Sequence, residues 1–186
     1  TFNRPSFIQR TVLYYDSLKS PHPLYIGDAS NTEITENTLS FLKKVKNVEV
    51  KYFHWAGWSA EKTTTKLAEE ASAECEYCVY QGDDDYLIPS SLNKCATFLS
   101  ENPDYRTAQG RAALVVMDSP EPVGNIKWID EYWGENSLEE SGKMERLFSF
   151  VKNYFVIQFS VHRVSEFISD SRDYLTFDNH FSERLH

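Results

Sequence analysis

The sequence predicts an α/β fold in which a parallel sheet is covered by helices. Over the first hundred residues, segments with helical periodicity alternate with short apolar strands. The connections between them are short, as in a chain of βαβ units. A run of three acids, Asp83, Asp84 and Asp85 in "CVYQGDDDYLIPSSL", follows one of these strands directly. In open α/β sheets that edge, beyond the carboxyl ends of the strands, is where ligands bind.

Each element has its own signal. In "SFIQRTVLYYDSL" (6–18), Ile8, Val12 and Tyr15 recur at helical spacing. "PLYIGDAS" reads as a short strand, Leu24 to Ile26, ending in a loop at Gly27. Ser30 and Glu33 form a capping-box signature for a helix over about 31–45, with Ile34, Phe41 and Val45 as its buried face. "VEVKYFHW" (48–55) alternates like a strand. Ser59 can cap the next helix, with Thr64, Leu67, Ala68 and Ala71 inward. "EYCVYQ" (76–81) is a compact strand. After the acids comes a helix near 90–101, with Leu92, Cys95, Ala96 and Leu99 on one face.

The second half differs in character. "TAQGRAALVVMD" (107–118) is strand-like. "SPEPVGNIKWIDEYWGENS" has no clean period and reads as a loop. Ser137 and Glu140 open a further capped helix, with Met144, Leu147, Phe148 and Val151 in register. "YFVIQFSVHR" (154–163) carries the strongest strand pattern in the chain. No internal repeat, low-complexity segment or linker divides the sequence, so one domain over 1–186 is expected.

Composition narrows the function. The 186 residues include 41% hydrophobic ones, enough to bury one core. The net charge of −9, without a basic stripe, argues against non-specific nucleic-acid binding. A nucleotide ligand stays open, since it needs only local donors and often a metal. Cys75, Cys78 and Cys95 are an odd set. One Cys-x-x-Cys pair without a second is poor support for structural zinc, so thiols in a reducing cytosol are expected. No run of about 18 apolar residues spans a membrane.

Back-to-back carboxylates repel unless water or a cation relieves them. On a tight loop they suit Mg²⁺ or Mn²⁺, which take oxygen ligands and leave positions open for phosphate oxygens. An EF-hand is excluded, because no glycine stands at the sixth loop position. A solvated acidic turn is the competing reading.

"TFNRP", then "GDAS", then "GDDDYLIPSSL" after a strand resemble, in this order, the inverting glycosyltransferases that use nucleotide-sugar donors (glycosyltransferase family 2-like). The resemblance covers about residues 1–100. It implies a GT-A (nucleotide-diphospho-sugar transferase) fold, with a mostly parallel Rossmann-like sheet and helices on both faces. Residues 1–105 would be the nucleotide-sugar-binding half and 106–186 the acceptor-binding half. The first strand of that fold, which should precede Thr1, is missing, as though the chain opened where a strand had just ended.

The resemblance also implies roles. Thr1, Asn3 and Arg4 would lie near the nucleotide. Asp28 would accept from the base N–H; the alternative is a turn or capping aspartate. Lys62, at the start of a helix, would approach the nucleotide, unless it is an exposed helix lysine. The D-x-D metal motif reads as Asp83 and Asp85, with Asp84 beside the ribose. Aligned on "x-L-I-P" instead, Asp84 and Asp85 are the last two acids and Gly82 stands where an aspartate is common. Mn²⁺ or Mg²⁺ is the implied cofactor.

In "TFDNHFSERL", Asp178 would be the catalytic base, with Glu183 as fallback and His180 as a possible ligand. Asn179 replaces the second acid of the usual pair. Gly110 and Arg111 would line the sugar pocket. Trp55, Trp58, Trp128 and Trp133 are candidates for sugar stacking, the last two favoured by their loop context.

The implied partners are a nucleotide-diphosphate sugar, first a UDP-sugar, and a glycan, lipid-linked or protein acceptor. The implied location is the cytoplasm, at the inner face of a membrane if the acceptor is lipid-linked. One rival is a sugar-nucleotide nucleotidylyltransferase, but that would open with a glycine-rich basic loop. Another is a non-catalytic module that binds sugar nucleotide.

Overall fold

The computed structural model describes residues 1–119, 121, 123–133 and 136–176. Among these the chain is α/β, with six helices and seven short strands. Helix α1 (Pro5–Ser17) opens on Pro5, whose missing N–H costs nothing at a first helical position. It buries Ile8, Thr11, Val12 and Tyr15. Strand β1 (Leu24–Asp28) pairs in parallel with β2 (Val50–His54), in register from Leu24 opposite Val50 to Asp28 opposite His54. Helix α2 (Thr32–Leu42) connects them.

Helix α3 (Ala60–Ala71) starts at Ser59, whose hydroxyl accepts from the Lys62 N–H. It lies hard against β1. A β-carbon on Gly27 would stand 2.3 Å from Thr63 Cγ2, so this approach requires a glycine. Strand β3 (Tyr77–Val79) leads to the acidic loop and then α4 (Pro89–Glu101). The remaining elements are β4 (Thr107–Ala108), β5 (Ala112–Met117), β6 (Ile126–Trp133), α5 (Lys143–Lys152), β7 (Val161–Arg163) and α6 (Val164–Thr176).

The strands form three small sheets rather than the one expected, mostly parallel sheet. Among the described residues only β1 with β2 is parallel; β7 runs antiparallel between β3 and β4, and β5 with β6 is an antiparallel hairpin. The main core is Ile8, Val12, Tyr15, Ile26 and Val48, flanked by Leu24, Phe41, Val50 and Leu87. The Asp16 carboxylate fastens α1 to the approach of β2 by accepting from the backbone N–H groups of Lys46, Asn47 and Val48. These bonds hold its pKa below the usual carboxylate value. Leu99 is fully buried, and the Arg163 guanidinium joins its carbonyl to that of Tyr105, at 2.7 Å each.

Several expectations are corrected. Ser30 does not cap α2; its hydroxyl accepts from the Asn3 N–H at 2.7 Å, and the helix buries Thr35 and Thr38 instead of Ile34. The expected loop at 119–137 contains β6, which pairs Val116 with Trp128 and Val115 with Ile129. Asp118 shapes the hairpin's turn by accepting from both the backbone and side-chain nitrogens of Asn125. The late helix begins at Lys143, not at Ser137, with Glu145 accepting from the Gly142 N–H. Its apolar face is exposed, with Phe148 at 69% and Val151 at 67%. Of the strong strand pattern at 154–163, only Val161–Arg163 is strand, because only those residues meet β3 and β4. Helix α6, which follows at once, was not anticipated.

Gly27→Ala should destabilise the fold by about 1–3 kcal/mol through overpacking against Thr63 and Leu67. Thr63→Ala in the same chain should recover part of that loss, since the two sites share one contact. Urea midpoints at unchanged m-value are the measurement.

Candidate functional site

The acidic loop is built on α1. The Tyr15 hydroxyl donates to Gln81 Oε1 at 2.5 Å and accepts from the Leu87 N–H at 2.9 Å. Burial pushes its pKa up to about 12, so it remains a neutral donor. Gln81 Nε2 in turn donates to the Asp85 carbonyl at 2.7 Å. Thr11 Oγ1 donates to the Asp83 carbonyl at 2.9 Å, and the Tyr14 hydroxyl to the Leu87 carbonyl at 3.3 Å. Residues 81–87 are thus clipped at several points to one helix face.

The three aspartates have different surroundings. The Asp83 side chain is 8% exposed; one oxygen meets Arg4 Nη1 at 2.6 Å and the other accepts from Thr1 Oγ1 at 2.6 Å. Asp84 is more open, with one oxygen 3.1 Å from Arg4 Nη2. The Arg4 guanidinium also stacks 3.8 Å from the centroid of the Phe7 ring. The Asp85 pKa is raised, first by burial and then by the charges of Asp84 and Asp83, while a hydrogen bond from Gly82 opposes the rise.

Asp28 is buried at the end of β1, between cleft-lining Gly27 and Ala29. It is 2% exposed; Oδ1 accepts from the Ser30 N–H at 2.8 Å and Oδ2 from the Tyr52 hydroxyl at 2.6 Å. Burial and the neighbouring carboxylate raise the Tyr52 pKa above the usual phenol range. Residues 1–4 span from Asp28's strand to the acids. The Thr1 amine donates to the Gly27 carbonyl at 2.8 Å, and the Thr1 carbonyl accepts from the Ala29 N–H at 3.0 Å. Asn3 takes a left-handed φ of 54°, a conformation asparagine tolerates better than most residues. Its N–H and side-chain carbonyl hold Ser30 and Asn31.

A row of aromatic rings extends the site along β2 toward α3. Tyr25, Phe53, Trp55 and Trp58 lie nearly parallel, with successive centroids 6.5, 5.1 and 5.0 Å apart. Lys62 Nζ sits 3.8 Å from the Trp58 ring centroid. A cleft of about 840 Å³ is lined by Thr1, Arg4, Gly27, Trp58 and all three aspartates.

The sequence-derived candidates divide accordingly. Thr1, Asn3, Arg4, Asp28, Asp83, Asp84 and Asp85 come together, and Lys62 stands beside Trp58. Asp178, His180 and Glu183 lie outside the described residues. Arg111 pairs with Glu131 across the hairpin, and Trp128 lies on β6; neither lines the cleft. Cys75, Cys78 and Cys95 are free thiols, and burial pushes Cys78 up to about 12. Sequence reasoning missed Thr11, Tyr15, Tyr52 and Gln81, which hold the acids in place. The available signal was Thr11, a polar residue inside the apolar stripe of α1.

Among the described residues, no three His, Cys, Asp or Glu side chains stand together as a ready metal site. Two oxygens do converge, however. Asp85 Oδ2 and Asp84 Oδ1 lie 2.7 and 3.1 Å from the point a β-carbon on Gly82 would occupy. Two carboxylate oxygens near one point are donors of the kind a hard divalent cation takes. The converging pair is Asp84 with Asp85, while Asp83 is taken up by Arg4 and Thr1. No protein-family model matches the chain, and no curated protein matches it in sequence.

The Asp85 shift has a sign that can be tested. A carboxyl group with a raised pKa binds its proton more tightly folded than unfolded. Stability is therefore lost as pH rises from the ordinary value of 3.8 through the folded pKa. Asp85→Asn should raise the neutral-pH Tm by at most about 2–4 °C, given solvent screening. The gain should fade as pH falls toward that ordinary value, as followed by thermal melts across a pH series.

Proposed function

We propose that this chain is a metal-dependent, inverting glycosyltransferase domain of the GT-A type that takes a nucleotide-diphosphate sugar. One observation carries the reading: residues 1–4 join the end of β1, where Asp28 stands, to the acids after β3, and those three acids line a single cleft. The antiparallel pairing of β7 between β3 and β4 is compatible with a mixed sheet of that type.

Asp84 and Asp85 would hold Mn²⁺ or Mg²⁺ beside Gly82. Bound there, the cation would supply charge neutralisation for a departing diphosphate. Relief of the repulsion that raises the Asp85 pKa would contribute to its binding. Asp28 would accept from a base N–H; each of its oxygens already takes one donor, and a carboxylate oxygen has room for a second. Trp58 lines the cleft between Trp55 and Lys62, and Lys62 would approach the nucleotide from there. Asp178 would deprotonate the acceptor hydroxyl as it attacks the anomeric carbon. The acceptor would be a glycan, a lipid-linked glycan or a protein.

A UDP-sugar at about 100 Kd with Mn²⁺ should stabilise the fold by about 2.7 kcal/mol, or about 5–10 °C in Tm. Asp85→Ala should remove the metal dependence of that shift. Asp178→Ala should keep the shift and slow transfer or slow donor hydrolysis by about 10²–10⁴-fold. A thermal-shift panel of UDP-, GDP- and dTDP-sugars, with and without Mn²⁺, is the measurement. No shift with any of them would end the proposal.

A further inference from the structure

Helix α5 has 10 residues and buries none of them. A helix that short is marginal in water unless its apolar face is packed. One side of it is held to the chain. Arg146 Nη1 donates to the carbonyls of Glu140 and Ser141, at 2.6 and 3.1 Å, and the Ser149 hydroxyl donates to the Glu140 carboxylate. The Phe150 ring centroid lies 5.7 Å from that of buried Phe155. At about 3.6 residues per turn, Met144, Leu147, Phe148 and Val151 fall on the opposite side, and all four are exposed.

The charges beside that stripe are self-complementary. Glu145 and Lys152 are seven residues apart, so they stand on the same flank of it, one near each end. A second α5 laid antiparallel across the stripe has its two-fold axis level with Leu147 and Phe148. Met144 of each copy then meets Val151 of the other, and Leu147 meets Phe148. The same flank of both helices lies together, so Lys152 of each copy stands beside Glu145 of the other. Helical side chains lean toward their own amino terminus, which tilts these two toward each other. The other flank sets Lys143 beside Phe150 and brings no like charges together. The amino end of each helix dipole also lies beside the carboxyl end of its partner. Glu145 beside the stripe counts against an anionic lipid surface as the occupant.

We propose that α5 is a self-association face, through which two copies of this chain pair antiparallel about a two-fold axis. Met144, Leu147, Phe148, Val151 and the adjoining Tyr154 together expose roughly 600 Å² per copy, so the pair would bury about 1,000 Å², the lower bound for a specific contact. Its association is therefore reversible and depends on concentration. The inference is independent of any ligand at the acidic loop.

The test is sedimentation velocity of the full chain from about 1 μM to about 1 mM. The average mass should rise toward that of two chains. Phe148→Asp, at an exposed position, should keep the far-ultraviolet circular dichroism and weaken pairing by about a hundredfold or more. Lys152→Glu and Glu145→Lys should each weaken it by about tenfold, since both symmetric contacts become repulsive. An equimolar mixture of those two variants should recover pairing as a heterodimer, in which every such contact again joins opposite charges. A chain that stays monomeric throughout overturns the proposal, whether or not a lipid surface or another protein binds the stripe. So does a dimer that Phe148→Asp leaves intact. Charge variants that pair as tightly as the parent, or that fail to recover on mixing, overturn it as well.

Discussion

The contact between Arg4 and Asp83 is the constraint on which the site depends. Thr1 bonds the end of β1 through its backbone, Arg4 follows it at the start of α1, and Asp83 belongs to the loop that follows β3. That ion pair and the neighbouring Thr1 hydroxyl bond are the side-chain contacts that tie the segment bound to β1 directly to the acidic run. The Asp83 side chain is mostly buried, so removing Arg4 alone would leave a poorly solvated charge beside two more carboxylates. Tyr15 and Thr11 complete the arrangement from below by fixing the loop backbone rather than its charges.

The same arrangement divides the acidic run into two kinds of work. Asp83 is consumed by structure, with a guanidinium on one oxygen and a hydroxyl on the other. Asp84 and Asp85 each place an oxygen close to Gly82. Three adjacent carboxylates therefore need not be three equivalent ligands. Asp28 is likewise consumed by structure, with one oxygen on the Ser30 N–H in the turn after β1 and the other on the Tyr52 hydroxyl of β2.

How much of this was legible in the sequence depended on distance along the chain. Helices α1, α3 and α4 were visible because their apolar positions recur locally, and Ser59 marks the start of α3. Strand β1 was visible as a short apolar run and β2 by its alternation. Strand β6 was not, because its pairing with β5 rests on cross-strand partners such as Trp128 opposite Val116. The pattern at 154–163 overstated strand length, since ladder partners exist only for its last three residues. At the site, the acids could be read directly. Tyr52 and Gln81 could not, because a tyrosine on a strand and a glutamine after one look the same whether or not they hold a carboxylate loop.

The stacking of Trp55 on Trp58 carries a consequence of an optical kind. Two indoles 5.0 Å apart and inclined by 12° couple their electronic transitions. Their combined near-ultraviolet circular dichroism reports the spacing between the end of β2 and the start of α3. The molecule therefore contains an intrinsic chromophore pair beside the cleft, sensitive to small displacements of that helix and needing no added label.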